Sequence, residues 1–357
     1  MKNITDKLRI AVIGCGWAGE KHVLAFKKLS SRAEVVALVD TDNEFLKEKS
    51  KEWDISACYA DYRDALSRED IDAVSICLPH NLHAQTAIES AKAGKHILCE
   101  KPMAVTLEEA DAMIDATEEN KVKLMIAESA LFSASTRTLK EYLDAGYIGN
   151  PILLRKTFMP RHGSKTGYVY PGRRAWLSDK KIAGGGQWLV NGIHEVAVCR
   201  RLFGEVVSIC ATEHRTSDYQ LNIEGTVCAL LQFQGGQSGQ LIVTPQISNY
   251  GIFGGTILHG DSGALAIRRG KDDVLEVYSG KLNTPNQRLD VPIQVGHHGE
   301  LEHFVLEMEH FLDYVQKNTA CICNGISERQ SLAVILGGFE SIETGKKVDI
   351  KQREKGI

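Results

Sequence analysis

The chain is expected to fold in two parts. Residues 1–127 read as a parallel α/β sheet covered by helices, and residues 128–357 as an α+β part on an antiparallel or mixed sheet. Three observations predict this. Short β-rich runs alternate with helical stretches through roughly the first 130 residues, the rhythm of a parallel sheet. After about Glu128 strand-like runs follow one another without helices between them, as in an α+β fold. A length of 357 residues also exceeds what one compact core usually holds.

Each element has its own signal. Strands are expected at Arg9–Ile13, Glu34–Val39, Ala73–Leu78, His96–Cys99 and Val122–Ala127, with helices around Lys21–Leu29, Asn43–Lys51, His83–Ala93 and Leu107–Asn120. The continuous apolar character of Ala73–Leu78 suits a strand buried on both faces. Thr106, with Glu109 three residues later, is a capping box that starts a helix. Residues 151–181, rich in Gly, Arg and aromatic residues, read as a long working loop. Strands then follow at Val206–Thr212, Thr226–Phe233, Gly239–Thr244, Thr256–His259 and Val274–Tyr278, with a hairpin turn at Gly235-Gly236. Leu301, Phe304, Val305, Met308, Phe311, Leu312 and Val315 form one apolar helical stripe, expected to pack on the sheet of the second part.

Composition excludes several classes. Hydrophobic residues make up 43% and charged residues 25%, and the net charge is −4, so disorder is out and no overall field draws a nucleic acid or an anionic membrane. No apolar run is long enough to span a bilayer. The apolar stretch Ile10–Ile13 stops at Gly14, too short for a signal-peptide core, and a cytoplasmic location is expected. Nine cysteines, most inside apolar runs and none in a C-x-x-C pair, read as reduced structural thiols. Cys321 and Cys323 are the only close pair, and no metal site is expected.

Chemistry concentrates in three stretches. Gly14-Cys15-Gly16-Trp17-Ala18-Gly19 reads G-x-G-x-x-G between a strand and a helix. The first glycine permits the tight turn, the second lets backbone approach a pyrophosphate, and the third allows close helix–strand packing. The phosphates would sit on the N–H groups at the helix start. Asp40 ends the next strand about 20 residues on, where a carboxylate accepts from ribose hydroxyls and repels a 2′-phosphate. No Arg follows to hold that phosphate, so NAD is expected rather than NADP. Glu100-Lys101-Pro102 follows a strand at a carboxyl end of the sheet, with Glu100 as a partner for a lysine. Finally, Gly184-Gly185-Gly186 precedes a helix carrying Asn191 and His194, a group able to move protons near neutral pH.

Taken with Pro79-His80-Asn81-Leu82-His83, Gly94-Lys95-His96 and the terminal Thr344–Val348, this order resembles the glucose–fructose oxidoreductase, inositol dehydrogenase and rhizopine-catabolism (Gfo/Idh/MocA) family over nearly the whole chain. The resemblance implies a Rossmann domain followed by an α+β domain with a large open, mostly antiparallel sheet. It implies that Lys101 polarises or deprotonates the reacting hydroxyl and that His194 is a second acid/base group or substrate anchor. Trp176 resembles a family tryptophan near the cofactor, and Pro79 and His83 match the segment lining the nicotinamide. One departure stands out. Many family members carry an aspartate four residues before the histidine, where this chain has Val190, with Asn191 beside it.

Three functions follow from the resemblance. The first is an NAD-dependent oxidoreductase taking hydride from a secondary hydroxyl of a sugar, cyclitol or glycoside. The second is a redox-neutral lyase or glycosidase-type enzyme with bound NAD, and the third a non-catalytic ligand sensor. An exposed sheet face would need covering, which points to a homodimer or homotetramer. Between Arg155 and Lys181 lie eight Lys or Arg and one acid, Asp179. Such a run reads as a solvated face. The functional alternative is a substrate-covering loop, because His162, Tyr168, Tyr170 and Trp176 are interleaved with the charges. In that reading Tyr168, Arg173, Arg174 and His162 contact substrate together with Asn191.

Overall fold

The computed structural model describes residues 7–159, 164–167, 169–247, 254–268, 274–283, 287–294 and 299–353. The chain divides into two compact units, Met1–Ser129 with His297–Arg329 and Ala130–Gly296 with Gln330–Ile357.

The first unit runs β1 (Leu8–Ile13), α1 (Trp17–Lys28), β2 (Ala33–Val39), α2 (Asn43–Trp53), β3 (Cys58–Tyr59), α3 (Tyr62–Leu66), β4 (Ala73–Ile76), α4 (His83–Lys92), β5 (His96–Glu100), α5 (Leu107–Glu119) and β6 (Leu124–Ala127). Its six strands are all parallel in the order β3-β2-β1-β4-β5-β6. β4 and β6 are buried throughout, as their unbroken apolar runs require. Capping sets the helix starts. Asp42 accepts from Phe45 N at 3.1 Å to begin α2, and Thr106 accepts from Glu109 N at 3.1 Å to begin α5. The Glu109 carboxylate returns to Val105 N at 3.1 Å, one residue beyond the usual box. β3 and α3 have no counterpart in the sequence reading, because two and five residues are too short to show a period.

The second unit contains α6 (Ala134–Asp144), β7 (Pro151–Phe158), α7 (Lys180–Ala183), α8 (Gln187–Val190), α9 (Gly192–Phe203), β8 (Val206–His214), β9 (Thr226–Phe233), β10 (Ser238–Val243), β11 (Gly255–Gly260), β12 (Gly263–Arg268), β13 (Val274–Ser279) and β14 (Arg288–Pro292). Its nine strands follow the order β14-β13-β12-β11-β7-β10-β9-β8-β15, where β15 is Val348–Asp349. Only β7 and β10 pair in parallel. Gly235-Gly236 makes the expected hairpin between β9 and β10, with Phe233 N bonded to Gln237 O at 2.9 Å.

Three expectations are corrected. The loop reading of residues 151–181 fails at its start, because Pro151–Phe158 is a central strand. Proline opens it, where no ladder N–H is lost, and the basic pair Arg155-Lys156 interrupts its apolar run. Lys156 belongs to no solvated face either. It meets Glu195 of α9 at 2.8 Å, with both side chains largely buried. Second, the stripe from Leu301 to Val315 lies on α10 (Glu302–Gln316) and packs in the first unit, not on the second sheet. Phe304 meets Trp17 of α1 edge-on at 6.0 Å, and Asp313 holds Arg32 at 2.6 Å. The expected span 128–357 therefore departs from the observed division at residues 297–329. Third, the helix after the triple glycine breaks at Asn191 into α8 and α9. α11 (Gly325–Thr344) follows α10. Among the described residues no helix is long and apolar enough to cross a membrane.

Candidate active site

The strand order of the first unit reverses between β1 and β4, and open parallel sheets bind ligands outside the carboxyl ends of their strands at such a point. The glycine loop leaves β1 there. Gly14 has φ +95°, and a Cβ on it would lie 2.4 Å from Cys77 O, so no side chain fits. A Cβ on Gly19 would lie 2.0 Å from Gly14 O, which forces α1 against the turn. Around Gly16 a Cβ would meet nothing within 4 Å. Gly16 is the N-cap of α1 and has no side-chain cap, so the helix start is left to an incoming acceptor. This is the cradle a pyrophosphate needs. Trp17 and Ala18 form the first turn beside it, Trp17 half exposed.

Asp40 is nearly buried at the end of β2. Its Oδ2 accepts from Cys15 N at 3.0 Å and its Oδ1 from Asp42 N at 3.0 Å, so the carboxylate braces the glycine loop. A carboxylate offers about four acceptor positions, which leaves capacity for the ribose hydroxyls of a dinucleotide. Asp42 caps α2.

Lys101 follows β5, and its backbone N–H donates to Glu100 Oε2 at 3.1 Å. The other Glu100 oxygen receives His22 Nε2 at 3.1 Å, and His22 Nδ1 meets Ser75 Oγ at 2.6 Å. His22 is fully buried. Burial pushes its pKa down, but the neighbouring Cys77 and Glu100 outweigh this and hold it well above the usual histidine range. The protonated ring donates from both nitrogens, which suits both partners. His83 braces the turn from the other side, with Nδ1 2.8 Å from Pro102 O and Nε2 2.8 Å from Leu78 O. Burial keeps its pKa below the ordinary value, against the pull of the two carbonyls. The neutral ring donates to one of the two carbonyls and lies against the other, so His83 acts through the backbone it touches. Pro79 opens the short turn between those anchors, its carbonyl receiving Leu82 N at 2.9 Å.

Beneath this network lies Glu307 of α10, 0% exposed, with no hydrogen-bond partner for either carboxyl oxygen among the described residues. Burial, reinforced by the charges of Glu100 and Glu128, pushes its pKa well above the usual carboxylate range, against the pull of His22 and Lys101. Burial thus favours the protonated, neutral form of this carboxyl. Sequence reasoning missed both His22 and Glu307. Each had a signal: His22 lies one helical turn past the last glycine, and Glu307 interrupts the apolar face made by Phe304, Met308 and Phe311.

In the second unit the triple glycine is shaped by its neighbours. Gly184 has φ +83° and ends α7, while a Cβ on Gly186 would press Ile223 at 2.8 Å and one on Gly185 would press Phe339 at 2.9 Å. Glu224, also unforeseen, is buried and accepts from Gly186 N and Trp188 N, both at 2.7 Å. Burial still raises its pKa above the usual carboxylate value, despite these N–H groups. The Tyr170 hydroxyl accepts from Gln187 Nε2 at 3.0 Å and Asn191 Nδ2 at 3.1 Å, and Asn191 also bonds Gln187 Oε1. Arg174 stacks over the Tyr170 ring at 4.6 Å. His194 lies in the first turn of α9, partly exposed, with its N–H on Asn191 O at 3.1 Å. Val190 is 3% exposed and packs with Tyr170, Leu177 and Trp176. The position of the family aspartate is thus apolar in this chain. Arg173 is exposed one residue before Arg174. His162 and Tyr168 lie outside the described residues.

A family profile described as oxidoreductase family, NAD-binding Rossmann fold, matches residues 8–128, and one for the GFO/IDH/MocA C-terminal domain matches residues 136–266. The chain belongs to the Gfo/Idh/MocA oxidoreductase family. Its first unit carries that family's NAD-binding fold. It is 30% identical over 213 residues to levoglucosan dehydrogenase of Pseudarthrobacter phenanthrenivorans, covering 58% of this chain and 54% of that protein. It is 29% identical over 236 residues to myo-inositol 2-dehydrogenase of Thermotoga maritima, covering 65% and 67%. The matched stretch therefore spans between half and two thirds of these relatives. A solved structure of levoglucosan dehydrogenase in complex with NADH superposes with a TM-score of 0.88 at 22% identity, covering 98% of this chain and 100% of that one, which supports the same fold.

Two outcomes follow from the buried groups. Because the folded-state pKa of Glu307 is raised, its contribution to stability is full below the ordinary carboxylate pKa and is lost as pH rises through the folded value. Glu307→Gln should flatten that loss, read as a smaller fall in urea midpoint between acidic and alkaline buffer. Val190→Asp places an unpaired carboxyl among Tyr170, Leu177 and Trp176, and should destabilise the fold by roughly 2–5 kcal/mol in denaturant titration.

Proposed function

We propose that the chain is an NAD-dependent dehydrogenase that oxidises a secondary hydroxyl of a sugar, cyclitol or glycoside. The observation that carries this reading is the bracing of Lys101, whose turn is fixed by Glu100 and His22 on one side and His83 on the other at a carboxyl edge of the nucleotide-binding sheet. The relatives are named as dehydrogenases of levoglucosan and of inositol, which favours this class over a redox-neutral enzyme or a sensor.

The cofactor-binding residues assigned are Gly14, Gly16, Trp17, Ala18, Gly19 and Asp40, with Pro79, His83, Glu100 and Trp176 shaping the nicotinamide side. NAD supplies the hydride acceptor when bound. Lys101, as the neutral amine, takes the hydroxyl proton as the substrate C–H bond breaks, and Glu100 holds the lysine backbone so that the amine returns to one place. His194 is assigned the second acid–base role. Asn191, Arg173 and Arg174 are assigned to substrate, joined by Tyr168 and His162. Tyr170, with two donors on its hydroxyl, orients Asn191. Where other family members use a carboxylate at position 190, this chain offers the amide of Asn191, so hydrogen bonding replaces charge.

Assembly as a homodimer or homotetramer in the cytoplasm completes the proposal. One face of the nine-stranded sheet supports it. Cys210 on β8 and Cys228 and Leu230 on β9 are exposed, Leu230 by 62%. Cys210 and Leu230 stand opposite each other across the strand pair. A second copy would cover this apolar face.

Two experiments decide these assignments. In a panel of inositols, aldoses and anhydro sugars, one substrate should give steady-state NADH formation, with NAD preferred to NADP. Lys101→Ala should lower turnover on it by about 10²–10⁴ while NADH binding persists, and near-normal turnover would overturn the lysine's role. Leu230→Lys should convert the oligomer to monomer in light scattering after size exclusion. An unchanged mass would show that this face is not the interface.

A further inference from the structure

We infer that His310, Cys321 and Cys323 form a binding site for a thiophilic divalent metal ion of the zinc class. One ligand atom from each lies within 4.8 Å of the other two, and no other trio of His, Cys, Asp or Glu among the described residues meets that spacing. The site belongs to the first unit and uses no residue assigned to cofactor or substrate.

The donors come from two elements held in register. His310 sits on α10, three residues after Glu307. Cys321-Ile322-Cys323 forms the segment before α11, and it is pinned at several points. Ile126 N bonds Cys323 O at 2.9 Å, Met125 bridges Asn324, and Asn324 Nδ2 returns to Cys321 O at 3.0 Å. The backbone that carries both thiols is therefore fixed before any ion arrives. Ile322 N–H donates to His310 Nε2 at 3.1 Å, so the imidazole lone pair faces the two-cysteine turn. Cys321 Sγ is within hydrogen-bond reach of both Cys323 and His310.

Zinc binds thiolate sulfur at about 2.3 Å and imidazole nitrogen at about 2.0–2.1 Å, which sets donors in a tetrahedral site roughly 3.5–3.8 Å apart. Closing from 4.8 Å asks for side-chain adjustments of about 1 Å, without movement of the pinned backbone. On binding, the two thiols release their protons and become thiolates that neutralise the dication, and the His310 lone pair turns from Ile322 N–H to the ion. The released N–H then faces the thiolates as a donor. Cys323 is fully buried and Cys321 nearly so, while His310 is partly exposed, which leaves an entry side. The ion would clamp α10 to the segment that pairs beside β6. The other seven cysteines have no such arrangement among the described residues.

The test is titration of the full chain, reduced and stripped of metal, with Co(II) as the probe. The expected result is saturation at one equivalent, with a thiolate charge-transfer band in the near ultraviolet and tetrahedral bands in the visible, all lost when Zn(II) is added. His310→Ala and Cys321→Ser should each weaken Co(II) binding by more than about 100-fold, beyond the scale of an outer-shell change. Both should keep NADH affinity, which reports that the unit is folded whatever the fate of the less accessible Cys323. The double variant Cys210→Ser, Cys228→Ser, on the exposed sheet face, should bind like the parent. Absence of a one-equivalent spectrum would overturn the proposal. So would a spectrum that survives in His310→Ala and Cys321→Ser, or a Cys321–Cys323 disulfide formed on mild oxidation in protein that takes up no Co(II).

Discussion

Gly14 has no space for a side chain, and the nucleotide end of the fold follows from that. With a Cβ position 2.4 Å from Cys77 O, the backbone of the first turn lies directly against the end of β4. The contact closes the gap between β1 and β4 where the strand order reverses, and it aims the start of α1 outward. Gly19 must then pack on Gly14 O, while Gly16, with open space around it, is left facing outward. Three glycines of one motif thus meet three different constraints. Two are imposed by the protein itself and one is left for a ligand.

The same turn fixes the depth at which polar groups can be buried. His22 emerges from α1 beneath the loop and reaches Ser75 on one side and Glu100 on the other. A buried imidazolium alone would be costly, and a buried carboxylate alone equally so. Together, with Ser75 and the Lys101 amide completing their bonds, they form a satisfied pair. Glu307 is different, a carboxyl with no hydrogen-bond partner among the described residues, whose burial favours the protonated form. A network of this kind stiffens the turn bearing Lys101, since moving Glu100 would strand His22. His83 does the same from the opposite edge, lying between two carbonyls and donating to one of them.

In the second unit one carboxylate plays the organising part. Glu224 takes the N–H groups of Gly186 and Trp188, and so starts α8 where no Ser, Thr, Asp or Asn precedes it. The helix restarts after Asn191, and the break lets the Asn191 amide meet Tyr170 and Gln187. Val190, beside it, is then committed to the apolar cluster. Chemistry and packing divide between adjacent residues, and the departure from the family's usual aspartate is accommodated by that division.

Local sequence determined the parallel strands, their helices, the glycine loop and Asp40, because each depends on near neighbours: periodicity, capping, and turns only glycine allows. The Glu100-Lys101-Pro102 turn and the His194 helix were legible for the same reason. Tertiary structure decided what depends on distant partners. Pro151–Phe158 became a central strand because β10 and β11 pair with it and Glu195 neutralises Lys156, neither of which is visible in a basic, proline-led run. The α10 stripe announced that it would be buried, but an apolar face packs equally well on any apolar surface, and it joined α1. His22, Glu224 and Glu307 carry no motif of their own. Their states are set by burial and by groups far along the chain, and those exist only once the chain has folded.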